Sequence, residues 1–381
     1  MNLLNKQKKI IMILFLLLLT LFSEIKAQKD IKFLYKEVSN SLIGQYYNSS
    51  KNIILPNNAY KAEKDIKQND RAINNTSTLQ DCLNQNVVVV LPNYPIMITK
   101  DGLKLNSNNV LIFQPNSKLT IENNNLEYYQ LLKIHNVHHV KILNARLSGD
   151  RNGHSSSKGE WGYGISIRNS SDVIIDNFFI DNFWGDGIAI GYGNTKTNKN
   201  IVIKNGYLDN NRRNGLSVMN IDGLWVEKLL VSNTNGTKPM FGIDFEPNNA
   251  SDNLNNITLN NIYTYNNANG GLMLTFSKMK TSKSKTIDFN LNNFKDVGSP
   301  NGLMLAGIPK EATGLKGNIK LNNISLDNNV SPITGRTIYN KNVFVDIQNV
   351  SVINPQNKNI NHKEIKRVFD LKNNYSIKFK N

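Results

Sequence analysis

Gly164-Ile165-Ser166-Ile167, Gly187-Ile188-Ala189-Ile190, Gly215-Leu216-Ser217-Val218, Gly242-Ile243-Asp244-Phe245, Gly271-Leu272-Met273-Leu274 and Gly302-Leu303-Met304-Leu305 repeat one frame: glycine, apolar, any residue, apolar. Successive glycines are 23, 28, 27, 29 and 31 residues apart. Between frames lies a second alternating segment (Val173-Ile174-Ile175, Ile201-Val202-Ile203, Leu224-Trp225-Val226, Ile257-Thr258-Leu259), then a third (Phe178-Phe179-Ile180, Leu229-Leu230-Val231). Three short strands per repeat, separated by Asn, Asp and Gly, describe one coil of a solenoid. A propeller blade needs about 40 residues, and a sandwich has no constant three-strand period. The spacing therefore predicts an all-β parallel β-helix over 87–360. Trp225, inside a second strand, reads as core.

Upstream, Val87-Val88-Val89-Val90-Leu91-Pro92 reads as a buried strand closed by proline. Thr78-Leu79-Gln80-Asp81 predicts a short helix capped by Thr78, the helical part of an N-terminal arm and cap over 28–86. Residues 31–48 fit an amphipathic helix or an irregular arm, and 49–76 read as polar loop. A C-terminal cap or tail is expected over 361–381, with Phe369 and Ile377 covering the open end.

Composition narrows the class further. The 381 residues are 39% apolar and 19% charged, a balance of folded rather than disordered chains. One cysteine, Cys82, excludes an intramolecular disulfide framework and a Cys-rich metal site. About 65 residues are asparagine, several times ordinary usage. In a β-helix, amides at the same turn of successive coils hydrogen-bond as ladders along the axis. Lys6, Lys8 and Lys9 precede an apolar run, Ile10 to Phe22, that is shorter than a spanning helix, and Ala27 ends the segment. Residues 1–27 thus read as a signal peptide, and the protein as exported, periplasmic or extracellular. The formal charge of +16 falls to about +13 without the leader. An exported chain of that charge points to an acidic extracellular polymer or to no charged partner at all, with no nucleic-acid partner and no membrane contact after leader cleavage.

The cap segment from Thr78 to Pro92 and the coils carrying Trp184-Gly185-Asp186-Gly187-Ile188 and Gly242-Ile243-Asp244-Phe245-Glu246 resemble the pectin-lyase-like superfamily, which implies a right-handed parallel β-helix. That group includes polysaccharide lyases, polygalacturonase-type glycoside hydrolases and tailspikes. The first run is similar to the Asn-Thr-Asp-Gly-Ile run of the polygalacturonase-type hydrolases, whose Asp is catalytic; Asp186-Gly187-Ile188 matches it. The further paired aspartates and the Gly-His-Gly element of that family have no clear counterpart.

The residues themselves locate chemistry between 150 and 246, where Asp, Glu, Arg, His and Trp are densest. With the apolar residue after each glycine facing inward, the outward columns read Ser166, Ala189, Ser217, Asp244, Met273, Met304 and Arg168, Gly191, Met219, Glu246, Thr275, Ala306. Asp244 and Glu246 are expected about 6.8 Å apart along the strand, and Asp186 about 10 Å from Asp244 along the axis. Side chains converging over that gap approach the roughly 6.5–9.5 Å of inverting glycosidases. Asp186, Asp244 and Glu246 are the catalytic candidates, as general acid and base. Arg212 and Arg213 are expected to flank them and bind anionic sugar groups. Trp161 and Trp184 offer stacking faces, His154 and Glu160 close the cleft, and Lys238 precedes the Asp244 frame. No metal site is expected from the histidine spacing.

Three readings follow: a glycoside hydrolase acting on an acidic polysaccharide, a lyase performing β-elimination on a uronic acid, and a non-catalytic glycan-binding surface protein. No cofactor is required by the first. Ca²⁺ enters only in the lyase reading, held by Asp244 and Glu246.

Overall fold

The computed structural model describes residues 33–51, 53–68, 70–191, 196–335, 340, 342–356 and the backbone of 375–380. The leader expected over 1–27 and Phe369 lie outside the described residues.

The chain is a parallel β-solenoid. Each frame forms a strand that pairs in parallel with the next frame's strand, in unbroken order from Leu103–Lys104 to Ser331–Gly335. Ile165, Ile188, Leu216, Ile243, Leu272 and Leu303 stand in one register column and are all buried. Rungs stack at about 4.8 Å, so the column is a continuous apolar wall. The frame glycines follow from the same stacking. A Cβ on Gly164, Gly187, Gly215, Gly242 or Gly271 would lie 2.6–2.9 Å from the carbonyl oxygen of the glycine one rung on. Only hydrogen fits there.

The second and third segments, expected as separate strands, are separate up to Lys141–Leu143 and Arg146–Ser148; from Ser171–Asp181 onward they run on as one bent strand in a second parallel sheet, as in Ile221–Ser232 and Leu254–Tyr265. The bend is a single residue in the left-handed region. In register it is Asn144, Asn177, Asn205, Lys228, Asn261, Asn293, Asn323 and Asn349, with φ between 52° and 60°. L-residues avoid this region, and asparagine tolerates it best after glycine. Among the described residues, the only non-glycine exceptions to asparagine at positive φ are His139, Asp172, Lys228 and Met240. The expected ladders are present at these bends: Asn177 Nδ2 donates to Asn144 Oδ1 (2.8 Å), Asn293 to Asn261 (3.1 Å) and Asn323 to Asn293 (2.6 Å). A second ladder at the strand ends joins Asn210 to Asn182 and Asn266 to Asn233.

The ladder amides also hold the N-terminal arm. Asn233 accepts from the Lys36 N–H and donates to the Lys36 carbonyl, and Asn177 does the same for Asn48. Between these clamps the arm is extended and then helical over Asn40–Tyr46.

Two expectations need correction. The cap helix is Ala72–Gln85 with Arg71 at its N-cap, so Thr78 is an interior residue rather than the cap. The buried stripe Leu79, Cys82, Leu83 extends back to Asn75, whose amide donates to the Asp70 and Met97 carbonyls and carries the helix another turn. Residues 49–76 accordingly hold the helix start and a strand, Tyr60–Lys61, on Val88–Val90. Trp225 is not core: it is 46% exposed, because Leu224 and Val226 on either side point inward and alternation turns it out.

The bend predicts a graded response at Asn293. Asn293→Gly keeps the left-handed backbone and loses only the ladder bonds, costing under about 1 kcal/mol. Asn293→Ala loses both and should cost about 1–2 kcal/mol more, read as a lower denaturation midpoint.

Candidate active site

The shorter sheet presents its outward columns as the sequence spacing predicts. Ser166, Ala189, Ser217, Asp244, Met273 and Met304 are in register, and Glu246 follows Asp244 on the same face. Asp186 belongs to a different outward column, level with Tyr163 and Asn214 on the neighbouring rungs. Asn214 ties the acids together. Its backbone N–H donates to Asp186 Oδ1 (3.0 Å), its side-chain amide donates to Asp244 Oδ2 (3.1 Å) and to Ser217 Oγ (2.9 Å), and its oxygen accepts from the Phe241 N–H (3.0 Å).

Asp186 is wholly buried and ion-paired with Arg213, whose Nη1 donates to Asp186 Oδ2 at 2.9 Å. Burial raises the Asp186 pKa, and Arg213 works against that rise. For Arg213, burial opposes the charge, but Asp186 and then Asp244 outweigh it and hold the guanidinium protonated. Asp244 differs. It is also buried, its Oδ1 has no hydrogen-bond partner among the described residues, and its pKa is pushed well above the ordinary carboxylate value. Desolvation is the main cause and the Glu246 charge the second. Burial therefore favours the neutral form of Asp244, which stands beside a more exposed carboxyl.

Asp244 and Glu246 line a cleft of about 420 Å³, together with Glu160, Trp161, Tyr163, Arg213, Ser217 and Met219. Tyr163, Ala189 and Met219 pack as its floor, with Trp161 against them. A second depression of about 500 Å³ continues from Glu246 along the sheet over Met273, Thr275 and Met304. The two form one groove along the coil axis, with Glu246 at the junction.

The insertion 149–162 brings Glu160 and Trp161 to that groove, and its other residues anchor it. The His154 side chain is fully buried, with Nδ1 on Asp150 Oδ2 (2.8 Å), and its ring stacks on Trp184 at 3.9 Å between centroids. Arg212 Cζ lies 3.8 Å from the Trp184 ring centroid. Two groups that close cannot share one face, so the indole is sandwiched. Trp184 Nε1 donates to the Lys158 carbonyl, and Arg212 Nη1 to the Gly159 carbonyl. Tyr129 and Asn124 complete the shell around Asp150.

Of the candidates from sequence, Asp244, Glu246, Glu160, Trp161 and Arg213 meet at the cleft. Asp186 stands behind it on Arg213. His154, Trp184 and Arg212 pack on one another where they anchor the 149–162 loop, and none of them is among the cleft-lining residues. Lys238 is exposed on a turn and is not among the cleft-lining residues. Sequence reasoning missed Asn214 and Tyr163. The only signal was their place just before a frame glycine, the position that Asp186 also holds.

No protein-family model matches the chain. Two Bacillus subtilis proteins do: the uncharacterized protein YclG, 30% identical over 160 residues, and the SPbeta prophage-derived uncharacterized protein YorA, 30% identical over 162. Each match covers 38% of this chain, which spans only 27% and 28% of the length of those relatives. Solved structures with the same coil include the tailspike gp49 of Acinetobacter baumannii bacteriophage Fri1, a capsular polysaccharide depolymerase (TM-score 0.52, 13% identity, 86% of this chain and 63% of that one). They also include a family 28 exopolygalacturonase of Yersinia enterocolitica (0.54, 14%, 75% and 64%) and an endo-xylogalacturonan hydrolase of Aspergillus tubingensis (0.53, 13%, 76% and 82%). The chain has the fold of the pectin-lyase-like superfamily. At such identities the likeness is one of fold, and the chemistry must be argued from the cleft.

The different surroundings of the two tryptophans give a test. Trp184→Ala should lower stability by about 3 kcal/mol, seen as a drop in melting temperature, because it empties the sandwich. Trp161→Ala should leave the melting temperature nearly unchanged, because Trp161 lies at the wall of the open cleft.

Proposed function

We propose that this chain is a carbohydrate-active enzyme that hydrolyses glycosidic bonds of a polysaccharide in the groove of the shorter sheet. Asp244 is the general acid and Glu246 the base that activates water. The observation that carries this reading is Asp244 itself: a buried carboxyl in the cleft lining, its neutral form favoured by desolvation and by Glu246, with one oxygen free of protein partners. A glycosidic leaving oxygen needs a proton delivered from such a group, while the paired carboxyl acts on water. A carboxyl whose pKa is raised by burial, set beside a second and more exposed carboxyl, suits an acid and a base in one site.

Arg213, Asn214 and Asp186 are positioning residues here. Asp186 holds Arg213, and Asn214 holds Asp244 Oδ2 so that Oδ1 is the proton-bearing edge. Trp161 supplies a sugar-stacking face, with Glu160 beside it in the cleft lining. The folds shared with a capsular depolymerase and with two galacturonan-type hydrolases support a polysaccharide substrate. Export by the 1–27 leader would bring the enzyme to such a polymer. The lyase alternative requires Asp244 and Glu246 both ionised around Ca²⁺, and burial disfavours the charged form of Asp244.

Asp244→Asn and Glu246→Gln should each lower turnover by about 10²–10⁴-fold with the fold intact, measured as reducing ends released from a polysaccharide panel. Full activity in either variant, or ultraviolet-absorbing unsaturated products, overturns the assignment. Binding with no products at all returns the chain to a glycan-binding role.

Activity should fall as pH rises, since Asp244 must stay protonated. Asp186→Asn removes a charge that raises the Asp244 pKa and leaves Arg213, which lowers it. The basic limb of the pH profile should therefore move to lower pH in Asp186→Asn, a shift that a purely structural role would not produce.

A further inference from the structure

Another left-handed column runs along the solenoid where each coil enters the second sheet. It holds Asn108, His139, Asp172, Asn200, Gly223 and Asn256, one to a rung and all at positive φ. Asparagine and glycine are the residues this backbone state selects. His139 and Asp172 are two of the four exceptions among the described residues, and they stand on successive rungs. Their side chains continue the ladder with different chemistry. Asn200 Nδ2 donates to Asp172 Oδ1 at 3.0 Å, and Ser171 Oγ donates to Asp172 Oδ2 at 2.8 Å. Those two bonds hold the Asp172 pKa below the ordinary carboxylate value. His139 Nε2 faces Asp172 Oδ2 at 3.8 Å. A carboxylate on that side favours the tautomer with the proton on Nε2, which leaves Nδ1 bare.

That bare nitrogen meets a second imidazole. His139 Nδ1 lies 2.7 Å from His138 Nδ1, with the ring planes 88° apart. Two ring nitrogens at hydrogen-bond distance share one proton, here carried by His138. The backbone fixes the pair from both sides. The His138 carbonyl accepts from the Asn108 N–H (2.9 Å) and its own N–H donates to Ser107 Oγ (3.2 Å), while the His139 N–H donates to the Ser171 carbonyl (3.1 Å). Val140, next in sequence, is buried in the core, and both imidazoles are exposed. A metal ion about 2.0–2.1 Å from two imidazole nitrogens sets them about 2.9 Å apart at a right angle and about 3.4 Å apart at a tetrahedral angle. The observed separation is nearer the first. Among the described residues no three His, Cys, Asp or Glu side chains converge to hold a metal, so two nitrogens are what the protein offers and water completes the shell.

We propose that His138 and His139 form a two-nitrogen chelate for a divalent late first-row metal ion, best suited to Cu²⁺, with Asp172 as the carboxylate that orients His139. A right-angled nitrogen pair completed by water oxygens suits tetragonal Cu²⁺ better than tetrahedral Zn²⁺. The metal takes the place of the shared proton. His138 then carries its proton on Nε2, and both rings bind as neutral ligands through Nδ1. Asp172 beside Nε2 of a metal-bound imidazole is an outer-shell partner that fixes the tautomer and raises the basicity of the ligating nitrogen. The site lies on the turn between the two sheets and does not depend on the chemistry of the cleft, whose lining contains neither histidine. It departs from the expectation drawn from histidine spacing, which concerned a tetrahedral set.

The test is a calorimetric titration of the full chain with Cu²⁺, joined to electron paramagnetic resonance of the copper form, for the wild type, His138→Ala, His139→Asn and Asp172→Asn. Asparagine suits the left-handed backbone, so the last two variants should keep the metal-free melting temperature. The wild type should bind one equivalent of Cu²⁺ and show hyperfine splitting from two imidazole nitrogens. His138→Ala and His139→Asn should each abolish that equivalent and its two-nitrogen signal. Asp172→Asn should keep the signal and weaken binding by about 10–100-fold. Copper should raise the melting temperature of the wild type and leave that of His139→Asn where it was. Copper binding that survives both histidine substitutions, or a wild-type spectrum without two nitrogens, means adventitious copper elsewhere on the chain and overturns the site. Unchanged affinity in Asp172→Asn overturns the orienting role of the carboxylate.

Discussion

Every coil must turn where the coil before it turned, or the next strand has nothing in register to pair with. That constraint is met by one backbone state, the left-handed bend, recurring from Asn144 to Asn349 with φ almost constant. The residue that tolerates the state best also carries an amide that donates to the same residue one rung away. Conformational preference and side-chain bonding thus favour the same residue, which is why asparagine is so abundant. The apolar columns and the frame glycines depend on this register, since both require residues to sit above their equivalents.

The candidate site inherits its precision from the same register. Asp244 and Glu246 share a strand face, Ser217 lies one rung below, and Asn214 and Asp186 lie in the adjoining column. No mobile loop has to bring the two carboxyls together. The loop that does contribute, 149–162, is clamped by the His154, Trp184 and Arg212 stack, so Glu160 and Trp161 face the cleft from a fixed wall. Residues that look like sugar-binding candidates in the sequence pack together in building that wall. Burial then separates the carboxyls: Asp186 is held by a guanidinium, and Asp244, its neutral form favoured, keeps a free oxygen.

Much of this was legible in the chain. The glycine frames predicted the parallel solenoid, the alternation predicted the outward columns around Asp244 and Glu246, and the asparagine excess pointed to ladders. Periodic features survive translation into space because each coil repeats the geometry of the last. The failures share a different cause. Thr78 was misread as a cap because Asn75 finds its partners on the distant strand at Met97. Trp225 was misread because an aromatic within an apolar run looks like core until its alternation is fixed by Leu224 and Val226.

The amino-acid sequence by itself determined the fold class, the rung length and which residues face outward, since these follow from local spacing and backbone preference. Only the tertiary structure decided which charges are already paired. Arg212 and Arg213, adjacent in sequence, go to an indole and a carboxylate on different sides of the cleft wall. Charge acts through distance and solvent exposure, and neither is written in the order of residues.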